Sequence, residues 1–484
     1  MAGIILFGGY VPRRRLQRSA IYAANRWFAP GLKGLSAGER SVAGWDEDSV
    51  TMAVEAARDC LGDHPREEIG NVFLASTTHP NADRQNAGIV KEALVLNDAV
   101  GALDVGGSQR AGTSMLIQAF AAAAGADKPV LALAAERGRA RPGSEDELLN
   151  GDAAACLLVG ADDGIARLIG HHSLTLDFVD HYRSANETYD QNWEARWVRE
   201  EGHVKIAGRA IRETLDNHGL SGSDISHVII GIAAKGAAAA VAKAGGLPAE
   251  ALRDNLSAVM GHAGSAQPLV MLAHALEDAK PGERILVVGF GQGADVLLLE
   301  ATGAAGQARP AMGISGWLAR ADKDENYMRF LALSGEVHLE LGKRAEFPQK
   351  PVLTALYRNR KAVFGLVGGR CTKTGTVQFP RSEISVNQND PARDTQEEYP
   401  LADRMARILT YTADNLTYTP DPPNYYGMVE FEGGGRIHAE FADADPDSIA
   451  VGAPMRMMFR IKAHDTTSGF SKYFWKAAPA VRRN

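Results

Sequence analysis

Two short segments of the sequence, Ala111-Gly112-Thr113-Ser114 and Ala263-Gly264-Ser265-Ala266, open the same pattern twice. Each segment lies seventeen positions before a Lys-Pro pair, Lys128-Pro129 or Lys280-Pro281, and the residues between are rich in Ala and Leu. Apolar runs then close each copy, at 130–133 and 153–159 in the first and at 285–288 and 296–299 in the second. Small residues at the head of a helix allow close packing against a neighbour. The repeat therefore predicts two buried helices related by a pseudo-twofold axis, with both helix starts facing one site.

The composition is that of an ordinary globular protein. The 484 residues exceed what one hydrophobic core usually organises, which predicts two or three domains. Hydrophobic residues make up 45% and charged residues 23% of the chain, and the net charge is -7. Proteins that bind nucleic acids or anionic membranes generally carry a basic face, so this charge balance argues against both partners. A local basic patch stays compatible with it.

Neither a targeting segment nor a disulfide framework is predicted. The apolar run at 2–10 precedes three arginines, Arg13-Arg14-Arg15, which is the reverse of a signal peptide. No apolar stretch is long enough for a transmembrane helix, so we expect a first β-strand in a cytoplasmic protein. Cys60, Cys156 and Cys371 are odd in number and widely scattered. Cys156 lies in an apolar run and is predicted to be part of the core.

Strand and helix patterns alternate as far as about residue 300, which predicts the α/β class with sheets covered by helices. The predicted helices cover 46–61 and 207–218, and the predicted strands cover 71–75, 103–105 and 227–232. An Ala-, Gly- and Gln-rich linker at 301–310 predicts a domain boundary. A helical stretch at 317–339 follows, and short strands at 426–432, 436–441 and 455–461 with a triple-glycine turn predict a small β-barrel.

Three motifs carry a resemblance to a known superfamily. They are Pro142-Gly143-Ser144 followed by Gly151-Asp152-Ala153, the acids Asp46-Glu47-Asp48 before an apolar helix, and Ala279-Lys280-Pro281-Gly282. With the internal repeat, residues 1–300 resemble the thiolase superfamily, in particular its hydroxymethylglutaryl-CoA synthase and ketoacyl synthase III branches. The resemblance implies a duplicated αβαβα five-layer fold, with halves at 1–165 and 166–302, and a dimer or larger assembly.

The remainder of the chain resembles the zinc-ribbon and OB-fold proteins that accompany thiolase-like enzymes, through Phe379-Pro380-Arg381 and the run 425–429. The resemblance implies a linker and helical segment at 303–370 and a degenerate ribbon with an OB-fold at 371–484. A zinc ribbon needs four thiolates from two Cys-x-x-Cys pairs. Here Cys371 stands alone, and Glu383-Ile384-Ser385 replaces the second pair. We therefore expect no metal, with the ribbon held by packing.

This chain departs from the superfamily at four functional positions. The resemblance places Gln109 where the family has its nucleophilic Cys, and Thr77 where it has its Glu. The family's His would fall near Gly231 or Ile232, and the family's Gly-Asn becomes Gly261-His262. A thiolate is needed to form an acyl-enzyme, and an amide cannot replace it.

The amide of Gln109 can instead donate to a thioester or enolate oxygen, aided by backbone N–H groups and a helix dipole. Some ketoacyl synthase domains with Gln at this position decarboxylate malonyl groups. His262 is the first acid/base candidate, because imidazole titrates near neutral pH, and the repeat places it at the start of the second helix. Its counterpart in the first copy is Arg110. The alternatives are that Gln109 only caps a helix and that His262 is structural.

Further site candidates are less specific. His79 and His203 are reserve acid/base candidates, and the aromatic stretch 178–197 is either an acyl-binding cap or ordinary core. The cations Lys235, Arg209 and Arg212 either contact coenzyme A phosphates or only solvate the surface. The Gly-rich run 289–293 lacks a phosphate-loop Lys, so we expect a tight turn that brings backbone N–H groups to the pocket.

Three functional hypotheses follow. The first is an acyl-CoA lyase that performs aldol or retro-aldol chemistry on a β-hydroxyacyl-CoA without an acyl-cysteine, using His262 and Gln109. The second is a condensing enzyme similar to hydroxymethylglutaryl-CoA synthase with relocated residues. The third is a non-catalytic partner of another thiolase-like subunit. In the enzymatic hypotheses a coenzyme A thioester is the substrate and no metal is required.

Overall fold

The computed structural model of the protein describes residues 2–340 and 352–480. The chain forms two compact units. Unit 1 comprises Met1–Gly44, Asp48–Val90 and Asn97–Phe330. Unit 2 comprises Trp45–Glu47, Lys91–Leu96 and Leu331–Asn484. The predicted division at 302/303 and the finer segment bounds stay predictions; unit 1 itself continues through residue 330.

Unit 1 is built on a nine-stranded sheet with the order β11-β12-β13-β8-β1-β7-β6-β4-β5. The strands of unit 1 are β1 (Gly3–Tyr10), β2 (Arg14–Gln17), β3 (Glu39–Ser41), β4 (Asn71–Ala75), β5 (Gly101–Val105), β6 (Val130–Glu136), β7 (Ala153–Gly160), β8 (Ala166–Thr175), β9 (His181–Tyr182), β10 (Gln191–Asn192), β11 (His227–Ile230), β12 (Arg284–Phe290), β13 (Gly293–Ala301) and β14 (Asp322–Asp324). The apolar run after each Lys-Pro pair is one central strand, β6 or β12. Both are buried almost throughout, as parallel-sheet strands covered on two faces must be.

The strand order is palindromic about its middle. Strands β4-β6-β7-β1 of the first half correspond to β11-β12-β13-β8 of the second, and β1 meets β8 through Gly3 and Ile4. The outer pairs β4–β6 and β11–β12 are parallel, whereas β6–β7 and β12–β13 are antiparallel. This arrangement confirms the predicted duplication and the α/β, thiolase-like fold class.

Twelve α-helices lie between residues 18 and 333, and α4 and α10 belong to the two repeated segments. They are α1 (Arg18–Asn25), α2 (Ser49–Leu61), α3 (Asn86–Ala93), α4 (Ala111–Ala124), α5 (Glu145–Leu149), α6 (Ala195–Trp197), α7 (Gly208–Asn217), α8 (Ala237–Ala244), α9 (Ser257–Met260), α10 (Gln267–Leu276), α11 (Gly313–Ala319) and α12 (Tyr327–Leu333), with a π-helical segment at Val198–Ala207. A Cβ at Gly112 would lie 2.2 Å from the Ser265 carbonyl oxygen and 3.4 Å from Leu269 Cδ1. The small residues at the two helix starts are therefore what lets α4 and the segment leading into α10 approach.

Helix α2 begins after its acids, three residues later than expected. Thr51 N–H donates to the Asp48 carboxylate and Asp48 N–H donates to Thr51 Oγ1, both at 2.8 Å. This capping box satisfies two of the N–H groups left free at a helix start. The other predicted elements shift by a few residues: α7 begins at Gly208, β11 ends at Ile230 and β5 begins at Gly101.

The predicted single helical stretch at 317–339 is wrong. Helix α11 ends at Ala319, and the strand β14 separates it from α12. The reason is charge pairing along a parallel strand: β14 lies against β2, where Arg13 faces Asp322 at 3.7 Å and Arg14 faces Asp324 at 3.8 Å. The basic run that argued against a signal peptide thus forms part of a three-stranded sheet.

Unit 2 contains a ribbon-like three-stranded sheet, β16-β15-β17, and a five-stranded antiparallel sheet, β20-β19-β18-β21-β22. Its strands are β15 (Val367–Cys371), β16 (Val377–Gln378), β17 (Gln396–Pro400), β18 (Ala406–Asp414), β19 (Asn424–Phe431), β20 (Arg436–Glu440), β21 (Pro454–Asp465) and β22 (Phe470–Pro479), and its helices are α13 (Leu353–Arg358) and α14 (Arg360–Gly365). Phe459 packs on Tyr473 and Trp475 in the barrel core. Trp475 Nε1 donates to the Phe364 carbonyl at 2.6 Å, so the one polar atom of this ring is satisfied.

Candidate active site

Gln109 lies in the loop between β5 and α4, two residues before the helix begins. Its side-chain Oε1 is buried and has no hydrogen-bond partner among the described residues. A Cβ at Gly291 would lie 3.0 Å from the backbone nitrogens of Gln109 and Arg110, so the 290–292 turn packs against this loop. The guanidinium of Arg110 is engaged elsewhere, because it pairs with Asp295 at 2.9 Å. The predicted symmetry partner of His262 is thus held by an ion pair, and Gln109 keeps a free acceptor.

A buried carboxylate that the sequence analysis missed lies beside Gln109. Glu136 ends the apolar strand β6 and is only 2% exposed. It accepts hydrogen bonds from Ser265 Oγ at 2.6 Å, from Thr77 N–H at 3.1 Å and from Thr78 Oγ1. An acidic residue at the carboxyl end of an otherwise apolar strand was the signal that could have revealed it.

Gly264 connects the amide and the carboxylate. A Cβ at Gly264 would lie 2.8 Å from Glu136 Cγ and 3.0 Å from Gln109 Oε1. Its φ of +45° also favours glycine. The start of the second repeat therefore packs between Glu136 and Gln109, so the starts of both copies lie close together; that they form one site stays a prediction.

His262 is satisfied on both ring nitrogens. Gly264 N–H donates to Nδ1 at 3.2 Å, and Nε2 therefore carries the proton and donates to the Gly231 carbonyl at 3.2 Å. Burial lowers the pKa of the imidazole, which favours the neutral ring. The prediction that His262 begins the second helix is wrong: a 3-10 turn at Gly264–Ala266 follows, and α10 begins only at Gln267.

His203 lies in the π-helical segment and packs edge-on against Phe290, with ring centroids 4.6 Å apart. It is 8% exposed, and its Nδ1 has no partner among the described residues. Burial lowers its pKa to about 4, so the ring is neutral at pH 7. Its free Nδ1 distinguishes it from His262, whose nitrogens are both bonded.

The turn at 290–292 contacts His203, the Gln109 loop and Asp180, a carboxylate that the sequence did not single out. Phe290 contacts His203, Gly291 packs on the Gln109 loop, and Gln292 Nε2 donates to Asp180 Oδ1 at 3.3 Å. Asp180 Oδ2 lies 2.9 Å from Nδ1 of the adjacent His181. Burial opposes the charge on His181, but the Asp180 carboxylate outweighs this effect and raises the pKa. The predicted Gly-rich turn is present, although Gly291 N–H donates to the Gly293 carbonyl and is not free.

The aromatic stretch at 178–197 forms a small hairpin, β9–β10, near the site. Phe178 stacks on Trp197 with centroids 4.2 Å apart and contacts Phe290 at 6.3 Å. Arg183 of the hairpin donates to the carbonyl of Thr77, whose N–H donates to Glu136. Its role as an acyl-binding cap stays a prediction.

His79 belongs to the same loop as Thr77. Its Nε2 lies 3.3 Å from the Val105 carbonyl oxygen, and its buried Nδ1 has no partner within the described chain. The ring lies near Gly106, where a Cβ would be 3.9 Å from its Cδ2. His79 therefore helps to shape the loop after β4, and an acid/base role stays a prediction.

The three predicted coenzyme A cations are not gathered by hydrogen bonds into one cluster. Arg209 pairs with Glu213 at 2.7 Å along α7, and Arg212 donates to the Ala244 carbonyl. Lys235 is exposed in the turn before α8, and no ion pair involves it in the part of the chain that the structure describes. Of the three, Lys235 is the one whose charge stays available to an anion.

No thiol is placed to act at Gln109. All three cysteines are free and buried. Cys156 lies within the sheet beside Cys60; burial, together with a hydrogen bond to Cys60, raises its pKa well above the usual value. Cys371 belongs to the ribbon of unit 2, where Thr374 N–H donates to its Sγ at 3.4 Å.

Within residues 2–340 and 352–480, no group of three or more His, Cys, Asp or Glu side chains is placed to hold a metal ion. Among the helices of these same residues, none combines the length and the apolar character needed to cross a membrane.

Comparison with known proteins defines the class. Residues 215–298 match the family model of the C-terminal domain of 3-oxoacyl-[acyl-carrier-protein] synthase III, and residues 399–460 match the ChsH2 C-terminal OB-fold domain. The crystal structure of an HMG-CoA synthase complexed with CoA aligns with a TM-score of 0.61 and 18% identity, over 72% of this chain and 95% of that chain. A 3-oxoacyl-(acyl carrier protein) synthase III from Pseudomonas aeruginosa PAO1 aligns with a TM-score of 0.56 and 21% identity, over 62% of this chain and 98% of that chain. The two structures show the thiolase-like fold of the larger part of the chain, and the second family match shows that an OB-fold domain follows it.

Two curated relatives narrow the class to a family. The hydroxymethylglutaryl-CoA synthase of Archaeoglobus fulgidus is 33% identical over 302 residues, which are 61% of this chain and 87% of that protein. That of Methanothermobacter thermautotrophicus is 31% identical over 309 residues, or 62% and 88%. The chain therefore belongs to the hydroxymethylglutaryl-CoA synthase family.

Proposed function

We propose that this protein is an enzyme that makes or breaks a carbon–carbon bond of a coenzyme A thioester by aldol-type chemistry, without an acyl-cysteine. The supporting observation is a spatial exchange of functional groups. Thr77 replaces the family's Glu in the sequence, yet its N–H binds the carboxylate of Glu136. The family's His would fall near Gly231, and the imidazole of His262 binds the Gly231 carbonyl. A carboxylate and an imidazole thus lie next to their usual positions, although other strands and loops supply them.

The substrate class follows from the relatives. They are hydroxymethylglutaryl-CoA synthases, and hydroxymethylglutaryl-CoA is a 3-hydroxy thioester, which is the product class of an aldol addition. In the forward direction a base removes the α-proton of one acyl-CoA, the enolate carbon attacks a ketone, and the alkoxide takes up a proton. In the reverse direction the hydroxyl loses its proton, the carbon–carbon bond breaks, and the enolate is protonated.

Each step needs a group that the site contains. The Glu136 carboxylate is the base that exchanges the proton, and the Nε2 N–H of Gln109, not its Oε1, is the group that donates to the thioester oxygen as negative charge develops there. Since the amide replaces the nucleophile, the acyl group stays on coenzyme A throughout. His262 holds the Gly231 and Gly264 turns through its two hydrogen bonds, so its part is to position the site.

The experiment is to incubate the full chain with hydroxymethylglutaryl-CoA, or with acetyl-CoA plus acetoacetate, and to identify the thioesters by mass spectrometry. We expect interconversion in at least one direction and no label on the protein after exposure to radiolabelled acetyl-CoA. Gln109→Cys is a matched variant, because it restores a thiol at the nucleophile position, and we expect it to acquire the label.

A second candidate is a covalent condensing enzyme with a relocated nucleophile. The observation that favours it is the 2.6 Å hydrogen bond from Ser265 Oγ to Glu136, a hydroxyl paired with a base. In that case wild-type protein would carry the acetyl label, and peptide mapping would place it on Ser265.

The absence of both turnover and label would favour the third hypothesis, a non-catalytic partner of another thiolase-like subunit. A dimer or larger assembly and a cytoplasmic location stay predictions. Light scattering of the purified chain tests the assembly.

A further inference from the structure

Two buried glutamines on the three-stranded sheet of unit 2 differ in their hydrogen bonding. Gln378 on β16 is 5% exposed; its Nε2 donates to Ser382 Oγ at 2.9 Å and its Oε1 accepts from Val386 N–H at 2.9 Å. Gln396 on β17 is 8% exposed, and neither its Nε2 nor its Oε1 has a partner among the described residues. Buried amides are rarely left without any partner, because each unpaired group loses its hydration. Gln396 therefore needs an explanation that Gln378 does not.

Gln396 lines a cavity of about 530 Å³ that belongs wholly to unit 2. This volume lies in the range of small-molecule sites. Val367 and Pro380 supply apolar parts of its wall. A Cβ at Gly369 would lie 2.3 Å from Gln396 Oε1, so the glycine on the neighbouring strand leaves the space that the amide occupies.

The rim of the cavity is basic. Four of its lining residues are cations and three are acids; the cations are Arg358, Arg360, Lys361 and Arg381. Lys361 and Arg381 share one partner, Glu398, at 2.8 and 3.5 Å. Arg358 is exposed and forms no ion pair within residues 2–340 and 352–480. Arg360 pairs with Glu92 at 3.6 Å, so the charge available to an anion comes from Arg358 and from Lys361 and Arg381, which share one carboxylate. Guanidinium and ammonium groups bind phosphate.

We propose that this cavity binds a phosphorylated adenine nucleoside, with the base on Gln396 and the phosphates on the arginine and lysine rim. A glutamine amide presents a donor beside an acceptor, and adenine offers the complementary pair at N6 and N7. Guanine offers two acceptors at the same edge, so it leaves the amide half-paired. The apolar wall accommodates the face of the base. The site is separate from the one around Gln109 and does not depend on the proposed function.

The ligand chemistry has two sources, a free adenine nucleotide and the nucleotide end of coenzyme A. Calorimetric titration of the full chain with ADP, GDP, coenzyme A and inorganic pyrophosphate tests the proposal and separates them. We expect ADP to bind at least tenfold more tightly than GDP. If coenzyme A is the source, Gln396→Met weakens coenzyme A and ADP together; if a free nucleotide is the source, it weakens ADP alone.

Gln396→Met should reduce ADP affinity at least tenfold, leave pyrophosphate binding unchanged and not lower Tm, because it removes an unsatisfied amide. Gln378→Met is the matched control; it removes a satisfied amide, so we expect a lower Tm. Arg381→Gln should weaken ADP and pyrophosphate together and provides a second variant should Gln396→Met not fold. Equal binding of ADP and GDP, no ADP heat at millimolar concentration, or ADP binding unchanged in Gln396→Met would overturn the proposal. ADP binding that is unchanged in Gln396→Met would assign ADP to another site. The absence of any ADP heat would mean that water alone satisfies the amide.

Discussion

The two repeated helices begin differently. Helix α4 starts two residues after Gln109, whereas α10 starts five residues after His262, behind a 3-10 turn. At the first start, Gln109 Oε1 is buried and has no hydrogen-bond partner within residues 2–340 and 352–480. At the second, backbone groups bond both nitrogens of His262. The polar group at the second start is thus satisfied by the fold, whereas the one at the first start has an acceptor that no described residue uses.

This difference distinguishes polar groups that stabilise the fold from polar groups that a ligand can bind. A polar group whose hydrogen bonds are complete contributes to stability, and its removal leaves unpaired partners. A buried polar group without a partner lowers stability, because it has lost its hydration, and a ligand can restore its hydrogen bond. Glu136 lies beside Gly264 at the start of the second copy, and Gln109 at the start of the first copy approaches the same glycine.

Loss of the Glu136 charge should have the largest effect. We expect Glu136→Gln to lower kcat about 10³-fold, because proton transfer by a positioned base contributes on this scale. Gln is close to isosteric with Glu but has one acceptor oxygen, so one of the Ser265 and Thr78 hydroxyls, which donate to different carboxylate oxygens, keeps its acceptor and the other must turn to accept from the amide N–H. Steady-state turnover of the thioester that the mass-spectrometric assay identifies as substrate measures the effect, and circular dichroism with Tm checks the fold. Activity within tenfold of wild type would remove Glu136 from the mechanism.

A pH titration of stability tests the second free group, His203. Its folded pKa of about 4 lies below the unfolded value of about 6.5, so the unfolded state binds the proton first as pH falls. We expect the free energy of unfolding to be unaffected above pH 6.5 and to drop by up to about 3 kcal/mol as pH falls to 4. Urea unfolding of wild type and His203→Phe at pH 7 and 4.5 measures it. Parallel losses in both proteins would contradict the assignment.

Removal of the free amide should affect activity and not stability. We expect Gln109→Ala to reduce kcat about 10²-fold, the scale of one lost oxyanion donor. Since Oε1 bonds to nothing among the described residues, Tm should be unchanged or slightly higher. Turnover and thermal unfolding are measured on the same preparation. A fall in Tm of several degrees would mean that Gln109 is structural.

His262→Ala should show the opposite balance. It removes the acceptor of Gly264 N–H and the donor to the Gly231 carbonyl, and we expect a loss of about 1–3 kcal/mol in unfolding free energy. Urea unfolding at pH 7 gives the value. His262→Asn is the control, because it can keep one of the two bonds and should lose less. Unchanged stability with abolished turnover would restore His262 as the acid/base group.

Local patterns were enough for much of the fold. The repeated small residues and the Lys-Pro spacing predicted α4, α10 and the strands β6 and β12, because periodicity and apolar runs are written in consecutive residues. The acids before α2 predicted its start within three residues, and the cap comes from Asp48 and Thr51. The prediction of one helix at 317–339 was wrong because Asp322 and Asp324 pair with arginines more than 300 positions earlier.

The site divides in the same way. The sequence by itself determined which groups are present: Gln109 at the family's thiol position, no Glu at Thr77, and a single cysteine in the ribbon. Only the tertiary structure decided which of those groups are free and which are used. Glu136 meets its hydroxyl partners across 129 and 58 positions, and no local pattern encodes such a pairing. Hydrogen bonds depend on distance and direction in space, and folding brings together residues that the chain keeps far apart.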